Sequence, residues 1–293
     1  MTASRSAAWV LLGSATLWGL AWWPMQVLNE SGVAGLPLAL CTYGLAALLS
    51  LPFLWRERRA WISRPRQVLL IALPGGWAAM SFMLAMSQGD VVREMLLFYL
   101  APAWSVLGAV FLLGESLSRT RLLAVVLALA GAMLVISAGA PIGLAAPIRP
   151  DWFTLSRPDW FALSAGLAFA AGNLATRAAS KIPLASKTSL QMIGCVLCAA
   201  LMLLITGTPL RMPGADAALG MVVFTGVWIL GGTSTTAFGM SHLEASRSAL
   251  ILLAELVSAV VSASLVHQRI PLRMECLGGL LILAAATLDA THT

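Results

Sequence analysis

Apolar residues run in stretches of about twenty, separated by short polar or basic gaps, from Trp9 to the C-terminal region. Read against turn and charge signals, these runs predict spans at 9–28, 36–55, 68–87, 95–113, 121–138, 160–177, 189–206, 217–240, 248–266 and 275–289. None shows the ten-residue polar/apolar alternation of a membrane barrel, and backbone groups in hydrocarbon must be satisfied within their own segment. The expected fold class is an all-α membrane protein of ten transmembrane helices. The first stretch, Ala7 to Leu28, has a weakly charged front and runs straight into further membrane segments, so it reads as a first span rather than a cleaved signal peptide.

Composition agrees: 59% of the 293 residues are hydrophobic and 10% charged, where soluble domains carry about a quarter charged. A net charge of +6 would suit nucleic-acid binding, but the arginines fall in the gaps between apolar spans, which membrane topology explains better. The expected surroundings are membrane lipids, with no nucleic-acid partner. With the N-terminus inside, 12 of the 18 basic residues fall on the inner side and 6 on the outer, and in the first half alone the split is 8 to 1. Both termini are therefore expected in the cytoplasm. Cys195-x-x-Cys198 can be read as a redox or metal pair, but it lies in an apolar run with no His or carboxylate near. The expectation is two packing residues, and no metal or cofactor.

Sliding the chain by 154 residues aligns 86–139 with 240–293 without a gap. Met86-Ser87 meets Met240-Ser241, Asp90 meets Glu244, Arg93 meets Arg247, Arg119 meets Arg273, and Leu-x-Leu-Ala at 127–130 meets the same pattern at 281–284. Apolar helices align by chance at leucine and alanine, but not readily at two arginines and an acid. Each half holds five spans, an odd number, so the second copy enters from the opposite side. The expected organisation is a first five-helix repeat at 1–139, a linker loop at 140–158 and a second, inverted five-helix repeat at 159–293, around a central cavity. Inverted repeats give a transporter two near-equivalent states, one open to each side, with substrate held near the midplane.

Leu17-Trp18-Gly19, Pro102 in span four and Leu113-Gly114-Glu115-Ser116-Leu117 before span five resemble the drug/metabolite transporter superfamily, of the ten-helix EamA type, over nearly the whole chain. More narrowly, the length and Trp-rich first helix resemble the bacterial amino-acid exporters of the YddG type. The resemblance implies a multi-pass protein of the bacterial inner membrane that exports amino acids, aromatic and other neutral ones included. The family's Leu-Glu-Pro pattern is split here between Leu100-Ala101-Pro102 and Ala254-Glu255-Leu256, which puts in doubt any coupling role for an acid in span four.

Trp18 and Trp22 lie four apart on one face of span one, as a cavity wall or as packed or lipid-facing indoles. Ala79, Met83 and Met86 share a face of span three, and the repeat sets Thr233, Ala237 and Met240 opposite them, to line a cavity or to pack helices. Thr233 to Thr236 is a hydroxyl run that can bind an amino or carboxylate group, with Thr233 and Thr236 the chosen candidates, although such hydroxyls often bond their own backbone. Tyr99 and Asn173 are polar at depth and are placed on the cavity. Pro24, Pro74 and Pro102 each free a carbonyl, which can hold a substrate ammonium or mark a hinge that lets helices rock, the hinge being the expectation. Asp90 with Arg93, and Glu244 with Arg247, are candidate gates at opposite faces, or simply solvated helix ends. Glu255 is the one acid well inside an apolar span. It is the candidate for proton coupling, or else a structural acid bonded to the hydroxyl run or to Asn173. Small residues at Ala124, Ala128 and Ala132, and at Ser258 and Ser262, permit close helix contact, within a monomer or in a homodimer.

An enzyme would need paired acids, a His cluster or a nucleophile with its base at one depth, yet His242, His267 and His292 are dispersed. A channel would carry a selectivity ring. The expected function is secondary transport of a small-molecule amino-acid substrate, with no catalytic residues. An exporter of drugs or other metabolites is the alternative.

Overall fold

The computed structural model describes residues 2–101, 103–104, 107–108, 119–137, 155–210, 213–243, 245–268 and 270–291, and these form helices joined by short turns. Four helical stretches are long and apolar enough to cross a membrane: Gly35–Arg56, Pro65–Gln88, Leu184–Thr206 and Ala215–His242. The shortest has 22 residues, about 33 Å at 1.5 Å per residue against a hydrocarbon core of about 30 Å. Shorter apolar helices include Leu122–Ile136 and Ile251–Val266. The chain is a multi-pass α-helical membrane protein.

The first run is not one helix but two, α1 (Thr2–Gly19) and α2 (Trp22–Glu30), joined by a turn at Leu20 and Ala21. Then come α3 (Gly35–Arg56), a short α4 (Arg58–Ile62) in the basic gap, α5 (Pro65–Gln88) and α6 (Val91–Phe98). They are followed by α7 (Arg119–Ile136), α8 (Arg157–Ala178) and α9 (Leu184–Thr206). The next run is α10 (Ala215–Phe224), a wider π-helical segment (Thr225–Gly232) and α11 (Thr233–His242). The last two are α12 (Ala245–Val266) and α13 (Arg273–Thr291). Residues 140–154 of the expected linker, together with Pro102 and Glu244, lie outside the described residues.

Helix ends follow local chemistry. The Asp90 carboxylate accepts the Arg93 backbone N–H at 3.0 Å and starts α6. Ser156 and Asp159 form a reciprocal capping box that starts α8. Gly207, at φ +64°, ends α9 in the left-handed conformation.

Apolar faces pair α5 with α8 and α9, α3 with α9 and with the π segment, and α7 with α13. They also pair α1 with α12 and α11, α6 with α8, and α6 with α12. Lipid supplies no hydrophobic drive between helices, so small residues must let backbones approach. At the crossing of α7 with α13, a methyl on Gly131 would lie 2.6 Å from the Gly278 carbonyl oxygen, and one on Gly278 would meet the Gly131 carbonyl in turn. Where α5 crosses α9, a methyl on Gly194 would overlap the Ala72 carbonyl. Ala124, Ala128 and Ala132 are all buried, the first two in a cluster with Ala285 of α13, so this small-residue stripe is spent on packing inside the chain.

Candidate functional site

The break in the first run is built by Pro24. Lacking an N–H, it leaves the Leu20 carbonyl without its helical donor, and the chain tightens instead, Ala21 N–H reaching Trp18 O at 3.0 Å and Trp23 N–H reaching Leu20 O at 3.2 Å. The freed end of α1 is held from outside. Trp228, in the π segment, donates its Nε1–H to the Leu17 carbonyl at 2.7 Å. Gly19 lies so close to α12 that a methyl there would overlap the Ser258 hydroxyl and the Glu255 carbonyl.

Glu255 is eleventh of the 22 residues of α12, so its carboxyl stands near the middle of that helix. Its partner is Tyr99, whose hydroxyl is within hydrogen-bonding reach of the carboxyl and lies 3.3 Å from the Leu252 carbonyl. The expected partners, the hydroxyl run or Asn173, do not fill this role. The run is instead tied to α1: Ser14 donates to the Gly232 carbonyl at 3.0 Å, shares a 2.7 Å bond with Thr236, and accepts from Thr235 at 3.0 Å. Thr233 is half-buried one residue past the π segment. Interhelical hydroxyl bonds in membranes are worth about 0.6 kcal/mol each. Ser14→Ala is therefore expected to cost about 1 kcal/mol, read as a lower unfolding midpoint in detergent, with Ser14→Thr retaining more of the stability.

Trp22 is buried, donates to the Ser262 hydroxyl at 3.0 Å and lies 5.1 Å, centroid to centroid, from the His267 ring. Trp18 is half-buried with its indole against Gly232. Both indoles are set at the broken helix and packed in-chain. On the other flank, Phe98 joins Phe82 at 4.9 Å, Phe169 at 5.5 Å and Tyr99 at 5.8 Å. Ala79, Met83 and Met86 of α5 border this cluster's helix face, Ala79 half-buried and both methionines buried. Asn173 is exposed on α8 one turn beyond Phe169 and hence on the same face. Pro74 sits inside an unbroken α5.

The expected Asp90–Arg93 gate has a different geometry. Arg93 gives Nε–H and Nη2–H to the two Asp159 oxygens at 2.6 and 3.0 Å, and Nη1–H to the Val135 and Ile136 carbonyls at 3.2 Å each. One guanidinium thus ties α6, α7 and α8 together, while Asp90 serves as a cap. Of the other candidate gate, Glu244 and the Arg247 side chain lie outside the described residues. Asp159, Trp228 and Ser14 were not singled out by sequence, and Ser262 was read only as a small packing residue. Of these, only Asp159 left a local trace, as the third residue after a Ser N-cap.

Among curated proteins none matches this sequence. A solved crystal structure, described only as that of a protein, has 19% sequence identity and a TM-score of 0.59, covering 97% of this chain and 96% of that one. At that identity the likeness is one of fold. Within this multi-pass helical protein, residues 5–137, carrying the broken first helix, Tyr99 and Arg93, match the EamA-like transporter family.

Proposed function

We propose that the chain is a secondary transporter exporting amino acids, aromatic and other neutral ones, from a bacterial cytoplasm by alternating access. In this reading its ten spans form two inverted five-helix repeats about a central cavity, in the inner membrane with both termini cytoplasmic. One observation carries it. In this reading Met86 and Met240 are repeat partners, and Met86 is 7% exposed and Met240 47%. Partners placed at opposite faces by an inverted repeat differ in this way when one end is packed shut and the other open, and alternating access exchanges their environments. The helix pairings support the same symmetry: exchanging the halves turns α5–α8 into α11–α1, α6–α8 into α12–α1 and α5–α9 into π segment–α3, all of which occur, and maps α7–α13 and α3–α9 onto themselves.

The amino-acid class is supported by a carboxyl and a phenol beside a helix break, which suit an ammonium group, and by the aromatic cluster at Phe82, Phe98 and Phe169, which suits an apolar side chain. The commitment of Thr235 and Thr236 to Ser14 leaves fewer polar groups for a carboxylate, which favours cationic drugs as the second reading. Proteoliposome counterflow with a panel of labelled amino acids, with and without a pH gradient, separates the two. Saturable flux of aromatic and neutral amino acids is expected. Flux of organic cations alone would replace the amino-acid reading with the second.

Alternating access has its own test in a background without native cysteines. Labelling of Met86→Cys and Met240→Cys by a membrane-impermeant thiol reagent should change in opposite senses when substrate is added. Parallel changes would refute the exchange.

A further inference from the structure

At the end of the bundle that holds the turn between α5 and α6, the starts of α6, α8 and α13 meet the end of α7. Arg93 and Asp159 form their ion pair here, with side-chain exposures of 19% and 0%. Beside them Glu94 is 1% exposed, and its Oε2 has no hydrogen-bond partner among the described residues. Its carboxyl lies within hydrogen-bonding reach of Asp159 and against Gly89, where a methyl would overlap it. The other charges facing the group are Asp90, on α6, and Glu275, which caps α13 through the Leu272 N–H at 2.8 Å. From α7 come the Val135 and Ile136 carbonyls, both accepting from Arg93.

Ionised carboxylates only accept hydrogen bonds. With both ionised, Glu94 and Asp159 would repel across a contact and leave one buried charge without a counter-ion. One proton on Glu94 turns an orphaned acceptor into a donor to Asp159 and leaves Arg93 and Asp159 as a neutral pair. We infer that Glu94 and Asp159 form a one-proton carboxyl pair, clamped by Arg93, that holds this end of the bundle closed while the proton is bound. All three residues precede the apolar spans 95–113 and 160–177. Burial first, and the Asp159 charge second, push the Glu94 carboxyl up to about 9. On the transporter reading given above this end faces outward, so the proton is taken from the outer water and returned to it when the end opens. The site is separate from Glu255 and asks nothing of the substrate.

The test uses the purified full chain in lipid nanodiscs without substrate, so its failure and that of the transport reading are distinguishable. Infrared difference spectra between neutral and alkaline pH, recorded in a Glu255→Gln background for parent and variant alike so that the other buried carboxyl does not contribute, should show the carbonyl band of a protonated carboxylic acid disappearing, and Glu94→Gln should lack that band. With Ser264→Cys as reporter at the same end, the labelling rate of the parent relative to Glu94→Gln should rise by up to about tenfold per pH unit from pH 7 and level off above about pH 9, because one proton is released on opening. Thiol ionisation cancels in the ratio. A band that persists in Glu94→Gln, or a ratio that stays flat, overturns the proposal. Should the variant fail to fold, a parent spectrum with no carboxylic acid titrating in this range overturns it equally.

Discussion

Glu255→Gln is expected to abolish accumulation driven by a pH gradient while leaving the fold and downhill exchange intact. One proton exchanged per neutral substrate supports at most about tenfold accumulation per pH unit, since a unit is worth about 1.4 kcal/mol. The variant should give a ratio of one. The placement argues for the effect. Glu255 stands at mid-helix, the Tyr99 hydroxyl is its partner, and the α1 backbone passes it at Gly19 with no room for a methyl. A proton-linked change in its charge is therefore felt by α6, through Tyr99, while α1 meets the same residue at its backbone carbonyl. Glutamine keeps the shape and an oxygen for the Tyr99 O–H, so the lost function is the proton and not the packing. A variant that accumulates substrate like the parent would reduce Glu255 to a structural acid.

The spans were legible because apolar runs and basic gaps are written directly into composition along the chain, and the caps at Asp90 and Ser156 follow local rules. Irregularities inside the runs were only half legible. Gly19 and Pro24 flag the break at Leu20, whereas nothing flags the π segment. In a run apolar all round, such as Thr225 to Gly232, no polar position reports whether the turn holds 3.6 residues or more. Partner choice at depth was not legible at all. Arg93 looked paired with Asp90 because three residues separate them, yet its guanidinium goes to Asp159, 66 residues away. The hydroxyl run was recognised as polar and costly in lipid, but it is satisfied by Ser14, 222 residues from Thr236, on a helix with no pattern announcing it. Asn173 was placed on the cavity on grounds of cost, and the structure has it exposed on α8, one turn from Phe169.

Asp159→Ala is expected to destabilise the protein by about 3–5 kcal/mol, the cost of leaving one member of a largely buried ion pair without its partner. Arg93→Ala should cost a similar amount, because it strands Asp159 and also removes the donors to the ends of α7. The double variant should lose less than the sum, since neither charge is then left alone. Unfolding midpoints in nanodiscs for the four members of the cycle measure this, and strict additivity would mean that the pair contributes no coupling. The pH dependence has a definite sign. Burial works to raise the Asp159 carboxyl, but the hydrogen bonds from Arg93 and Ser156 and the Arg93 charge outweigh it and hold the group below the usual carboxylate range. A depressed carboxylate contributes stability that is fully present above its unfolded value, about 3.9, and is lost as pH falls through the folded value. The parent should thus lose stability below about pH 4, and Asp159→Ala should show a flatter acid limb. If the ion pair also latches the closed end, the same variant raises labelling at Met86→Cys at neutral pH and leaves Met240→Cys no more reactive than before. A variant that is destabilised but unchanged at both cysteines would leave Arg93 and Asp159 as a structural clamp with no part in gating.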